Sequence, residues 1–258
     1  MGIVDKTKKM NEMKRFLLLI LVVAGISFEG NTQPPTYDDL IIYYADQDYD
    51  RLLRKAEKYT QSDKTKKDAL PYLYLAKCNF EMSKDQKWLD KYPKAFNDAI
   101  KYAGNCRKRD ERAGTTVYQD NIAFFTDLKT AIVEDMKNLI AEESFMRLQG
   151  YIAKLHRFNK EDLGSYFLKS GAMYMEKDNS GGRVSQKEAW EKLESISSVD
   201  DWRPIDFEML RIGVIVYCDA WINMKRQKQE ATKILGKVKQ WLENDEEFMD
   251  YYNKVMFG

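Results

Sequence analysis

The chain has 258 residues, 44% of them hydrophobic, 13% aromatic and 32% charged. That is enough apolar mass for one large domain or two small ones, and too aromatic for a wholly disordered chain. The 42 basic and 41 acidic residues nearly cancel, so no global field draws the protein to nucleic acid, and a single histidine (His156) with three cysteines leaves little material for zinc hydrolase, Ser/His/Asp or Cys/His chemistry.

The first element is Phe16–Phe28, FLLLILVVAGISF, preceded directly by Lys14 and Arg15. Its 13 residues are short of the roughly 20 that a helix needs to cross a bilayer core. A basic flank, a short apolar run and then small residues (Ala24, Gly25, Ser27) read as a secretory signal peptide over residues 1–28, with a start at Met1 or Met13; an uncleaved anchor is the alternative. No cysteine closes the run, so a lipoprotein anchor is not expected. Removing 1–28 leaves 37 basic and 39 acidic residues, without a polybasic patch for anionic lipid. The expected product is exported, periplasmic or peripheral to the outer membrane, with no transmembrane segment in the mature chain.

A linker, 29–36, leads to a single helical domain, 37–258. Five Pro and 13 Gly are few for this length and favour long helices over many turns. The 3.6-residue periodicity predicts helices over 37–45 and 48–60, with Asp48 as N-cap, then 68–84 with Pro71 in its first turn, then 93–109. It continues with 118–140, 141–157, 163–176, 185–196, 205–224, 227–242 and a short 246–255. KDNSGGR (Lys177–Arg183) reads as the flexible loop of the fourth pair. It lacks the spacing of a phosphate loop or a calcium loop.

These helices fall into about five consecutive pairs, and the last two share a pattern. Phe167, Gly171, Tyr174, Ala189, Leu193 and Ile196 each lie 42 residues before Met209, Gly213, Val216, Ala231, Leu235 and Val238. The sizes match, and a small residue in each first helix is expected to let the second helix approach at its own alanine. Within each helix the spacing resembles the tetratricopeptide repeat family: Phe167, Ser170-Gly171 and Tyr174, then Ala189, Leu193 and Ile196. The step of 42 exceeds that family's period of 34. The clearest repeats are 163–198 and 205–242; earlier copies are degenerate, such as Leu75-Ala76 with Phe80 followed by Phe96, Ala99, Ala103 and Cys106. The resemblance implies an all-α, right-handed superhelical α-solenoid of antiparallel helix pairs that binds other proteins on a concave face, with no catalytic residues.

No residue pattern nominates a catalytic, cofactor or metal site. For a protein partner of the cell envelope, the expected binding residues are Tyr72, Tyr74, Arg107, Arg109 and Arg112, an aromatic pair and a basic cluster suited to an acidic partner. His156 reads as a helix-end residue. Cys78, Cys106 and Cys218 read as small buried residues, with a Cys78–Cys106 bridge as the alternative. Two further readings stay open: a carbohydrate- or peptidoglycan-active protein using groove carboxylates, and a small-ligand binder with an aromatic pocket.

Overall fold

Acidic residues begin many of the helices. The carboxylate of Asp48 accepts the backbone N–H of Arg51, that of Asp162 accepts from Ser165, Asp178 from Gly181 and Asp245 from Phe248. Each such cap satisfies a donor the helix itself cannot, typically worth about 1 kcal/mol. In the computed structural model, which describes residues 35–258, these caps help to delimit thirteen α-helices, with 75% helix and no strand among the described residues. The 1–28 leader and all but the last two residues of the 29–36 linker lie outside the described residues. Among the described residues no helix is long and apolar enough to cross a membrane.

The first pair is α1 (Asp38–Ala45) and α2 (Tyr49–Gln61). The second is α3 (Leu70–Met82) and α5 (Ala95–Ala113), interrupted by the one-turn α4 (Gln86–Leu89). After the one-turn α6 (Val117–Asp120) come α7 (Ile122–Ala141) and α8 (Phe145–Leu155), then α9 (Leu163–Met175) with α10 (Asn179–Glu194), and α11 (Pro204–Asp219) with α12 (Lys228–Leu242). The last helix is α13 (Glu246–Phe257). Each pair packs within itself, and the helices pack on their sequence neighbours, an arrangement compatible with a helical repeat fold. Three apolar clusters follow one another along the chain: one under α1–α3 and the start of α5, one joining α3, α5, α7, α8 and α9, and one from α9 to α13.

Four of the five pairs are closed by the same short turn. Gln47, Glu143, Lys177 and Arg226 each adopt a left-handed conformation, with φ between 52° and 63°. In the first, third and fourth pairs the hydrogen bonds are identical. The left-handed residue donates to the carbonyl three before it (Tyr44, Ile140, Tyr174), and the next residue donates to the carbonyl five before it (Tyr43, Leu139, Met173). This is the Schellman closure of a helix end, built without its usual glycine. In the fifth pair a π-turn, Ala220–Met224, lengthens the same closure by one residue, so Gln227 donates to Trp221.

Several boundaries differ from expectation. KDNSGGR is not a loop: α10 starts at Asn179, with Asp178 as its cap. Gly182 is there for packing, since a Cβ would sit 2.6 Å from the Tyr174 ring, and its carbonyl accepts from Ser170 Oγ at 3.0 Å. The expected 118–140 helix breaks at Asn121, whose side chain donates to Val117 O at 2.9 Å and accepts from Lys77 Nζ at 2.7 Å. The repeat residues on α9–α12 are buried as expected, except Ile196, which follows α10 and is half-buried. The glycines, however, serve a different contact. The nearest neighbours of a Cβ on Gly171 would be the Val216–Tyr217 backbone of α11, at 2.8–2.9 Å, and a Cβ on Gly213 would run into the carbonyl of Gly164. They set the approach of α9 to α11, one pair to the next, instead of first helix to second within a pair.

The cysteines are free and buried, and the Cys78–Cys106 bridge is not formed. Cys78 lies in the cluster of α1–α3, Cys106 in that of α5 and α7. Burial pushes all three thiols up, Cys106 to about 12. A thiol-reactive disulfide reagent at about pH 8 should label none of them in the native protein and all three in denaturant, because the nucleophile is the exposed thiolate. Rapid native labelling would show that a cysteine is open.

Candidate functional site

A cleft of about 580 Å³ opens where α6 and α7 face the N-termini of α9 and α11. At its floor is Lys129, the one charged residue on the apolar stripe of α7 formed by Phe125, Leu128, Ile132, Val133 and Met136. Its side chain is 2% exposed and its ammonium donates to two carboxylates: Asp162, 1% exposed, and Asp206, 24% exposed. Each carboxylate has a second task. Asp162 Oδ1 accepts Ser165 N–H at 2.6 Å and caps α9; Asp206 Oδ2 accepts Arg203 N–H at 2.7 Å at the start of α11. Burial alone would lower the Lys129 pKa, but the two carboxylates outweigh it and hold the ammonium above its ordinary value.

The triad therefore ties three helices at one point. Its carboxylate oxygens are already engaged, and the ammonium has no lone pair for nucleophilic work. A glycosidase needs one carboxyl free to deliver a proton and another free to attack or to activate water. Asp162 and Asp206 are instead arranged as a brace. The cleft is also lined by Arg107, Tyr118, Gln119, Asp201, Trp202 and Arg203. The Arg107 guanidinium lies 4.0 Å over the Tyr118 ring and also binds Glu111 and Glu161. Trp202 packs against Phe207 and Trp241.

The five residues singled out from sequence do not form one surface. Tyr72 is buried in α3, its hydroxyl donating to Lys66 O at 3.2 Å. Arg109 covers it, 3.6 Å above the ring, and donates to the same carbonyl at 2.9 Å. Tyr74 is half-buried against Tyr44, with Lys77 over both rings. Arg107 belongs to the cleft. Arg112 is exposed in the last turn of α5.

His156 caps the C-terminus of α8, half-buried and stacked on Tyr166 with centroids 4.6 Å apart. Ser165 Oγ gives its proton to Asp162 O, so His156 Nε2 donates to Ser165 Oγ at 2.7 Å and the imidazole is the Nε2–H tautomer. Burial lowers the pKa of His156 below its ordinary value. Its contribution to stability is therefore complete above about pH 6.5 and is lost as the pH falls toward the folded value, where the unfolded chain takes up the proton first. Urea midpoints between about pH 7.5 and pH 5.5 should fall less in His156→Gln than in wild type, a difference assignable because the chain has one histidine. Equal slopes would place the imidazole in solvent.

Comparison with known proteins finds no matching family model, no matching curated protein and no matching solved structure. The functional reading therefore stands on the residues themselves.

Proposed function

We propose that this chain is an exported helical-repeat scaffold, a TPR-like right-handed array of antiparallel helix pairs, that holds a protein partner in a bacterial cell-envelope, secretion or uptake assembly. The observation that carries this reading is recurrence. One left-handed turn closes four helix pairs, and two of those turns, at Glu143 and Lys177, are 34 residues apart, the period of the resembling family. Arrays of this kind present a long surface to a partner and need no reacting group. The cell-envelope location rests on the leader sequence.

The test is site-specific photocrosslinking in cells. A photoreactive phenylalanine analogue replaces Trp202 at the mouth of the cleft or, as a control, exposed Lys187 on α10. One dominant adduct from position 202, absent from 187, is expected. No adduct above background at either position overturns the adaptor reading. A second reading, a small ligand or glycan held in the same cleft, is favoured by Tyr118, Trp202 and Arg107 lining an opening of about 580 Å³. A glycan array separates the two.

A further inference from the structure

A second cleft, about 550 Å³, lies between α5 and the turn that leaves α8. Lys101, Gly104, Asn105, Lys108 and Glu111 form one face of α5 at steps of three and one, and His156, Arg157 and Lys160 form the opposite wall. That face of α5 carries no large apolar side chain. Gly104 permits the close approach, since a Cβ there would meet Arg157 Cβ at 2.8 Å. The walls thus touch at Gly104 and leave cations around the contact. Glu111, the single acid, is committed to Lys160 and Arg107. Lys101 reaches Asp98 only at 4.0 Å. Lys108 and Arg157 are exposed and, among the described residues, have no ion-pair partner.

We propose that this cleft is the docking site for an acidic, extended segment of a protein partner. Lys101 and Lys108 are two turns apart on α5, roughly 10 Å, a span an extended chain covers in about three residues. Alternate side chains of an extended segment share one face, so Asp or Glu at positions i and i+2 or i and i+4 would bracket that span and face the two lysines, with Arg157 closing from the other wall. A duplex needs a basic stripe over many phosphates, whereas this chain is near neutral and the cleft offers only Lys101, Lys108, Arg157 and Lys160, the last of them paired with Glu111. That the occupant is protein rests on the scaffold reading; the anionic chemistry of the cleft does not.

The probe is a fluorescein-labelled twelve-residue peptide of alternating Asp/Glu and Ser, with an Asn/Gln version and a twelve-nucleotide single strand as comparators. Anisotropy is read on the full chain at low and high salt. The acidic peptide should bind and the neutral one should not. The double variant Lys108→Glu/Arg157→Glu should weaken binding at least about tenfold, while Lys64→Glu/Lys67→Glu, exposed in the segment before α3, changes it little; all proteins should melt alike. No acidic-peptide binding, or equal loss in both variants, overturns the site. Equal affinity for the single strand with the same variant sensitivity overturns the peptide as its occupant. If the peptide binds but photocrosslinking at Trp202 captures nothing, the cleft stands and the envelope adaptor fails; the reverse result separates them the other way.

Discussion

Lys129→Met should destabilise the protein by about 3–5 kcal/mol, the largest effect expected of any single side chain here. The loss is not the worth of an ion pair. Removing the ammonium leaves Asp162 buried with an unpaired negative charge, and Asp206 partly so. The triple variant Lys129→Met/Asp162→Asn/Asp206→Asn should recover most of the deficit, because asparagine still accepts at the start of α9 and no charge is left behind. Urea denaturation of the three proteins decides it. If the single variant melts like wild type, the triad is hydrated and the brace is not formed. Because the Lys129 pKa is raised, its contribution is complete below the unfolded value and fades only as the pH climbs through the folded one.

Gly213→Ala should cost about 3 kcal/mol although it adds one methyl group. The methyl would meet a backbone carbonyl, that of Gly164, which has no rotamer by which to yield. The α9–α11 seam must then open along its length, past Gly171 and the Tyr217 backbone. Gly236→Ala on α12 is the matched control. Gly236 is exposed, a Cβ there meets nothing within 4 Å, and the substitution should stabilise by about 0.5–1 kcal/mol through helix propensity alone. Thermal melts of the two variants should move in opposite directions. A shift of the same sign in both would show that the seam is loose.

The helices were legible because apolar residues recur at steps of three and four, and because Asp48 and Pro71 mark their starts. The first turn, at Asp46-Gln47, was legible as the gap between 37–45 and 48–60, but the left-handed closure was not, since such a residue is read from glycine and here it is Gln47, Glu143, Lys177 or Arg226. The glycines in KDNSGGR misled in the opposite sense: composition suggests a loop, while packing of Gly182 on Tyr174 requires a helix. Lys129 was missed, although its signal is in the sequence: a charge on the apolar stripe of Phe125, Leu128, Ile132 and Val133 calls for a buried counter-charge. Its partners could not be read, because Asp162 and Asp206 lie 33 and 77 residues away and meet it only once α7, α9 and α11 converge. Tyr72 and Arg109 illustrate the same limit. A ring and a guanidinium that looked like surface anchors stack on each other instead.

A hairpin closed by its own local turn carries its register with it. The hydrogen bonds around Gln47, Glu143 and Lys177 draw only on residues within a few positions, so nothing distant has to realign when a neighbouring hairpin is lost or copied. Chains of this build can lengthen or shorten by whole units through duplication or deletion of the coding sequence, with the ends of each unit falling in the linkers between pairs. Contacts between pairs limit this freedom: α9 and α11 are fitted to each other along Gly164, Gly171 and Gly213, and Lys129 ties α7 to both, so α7, α9 and α11 would have to be inherited together.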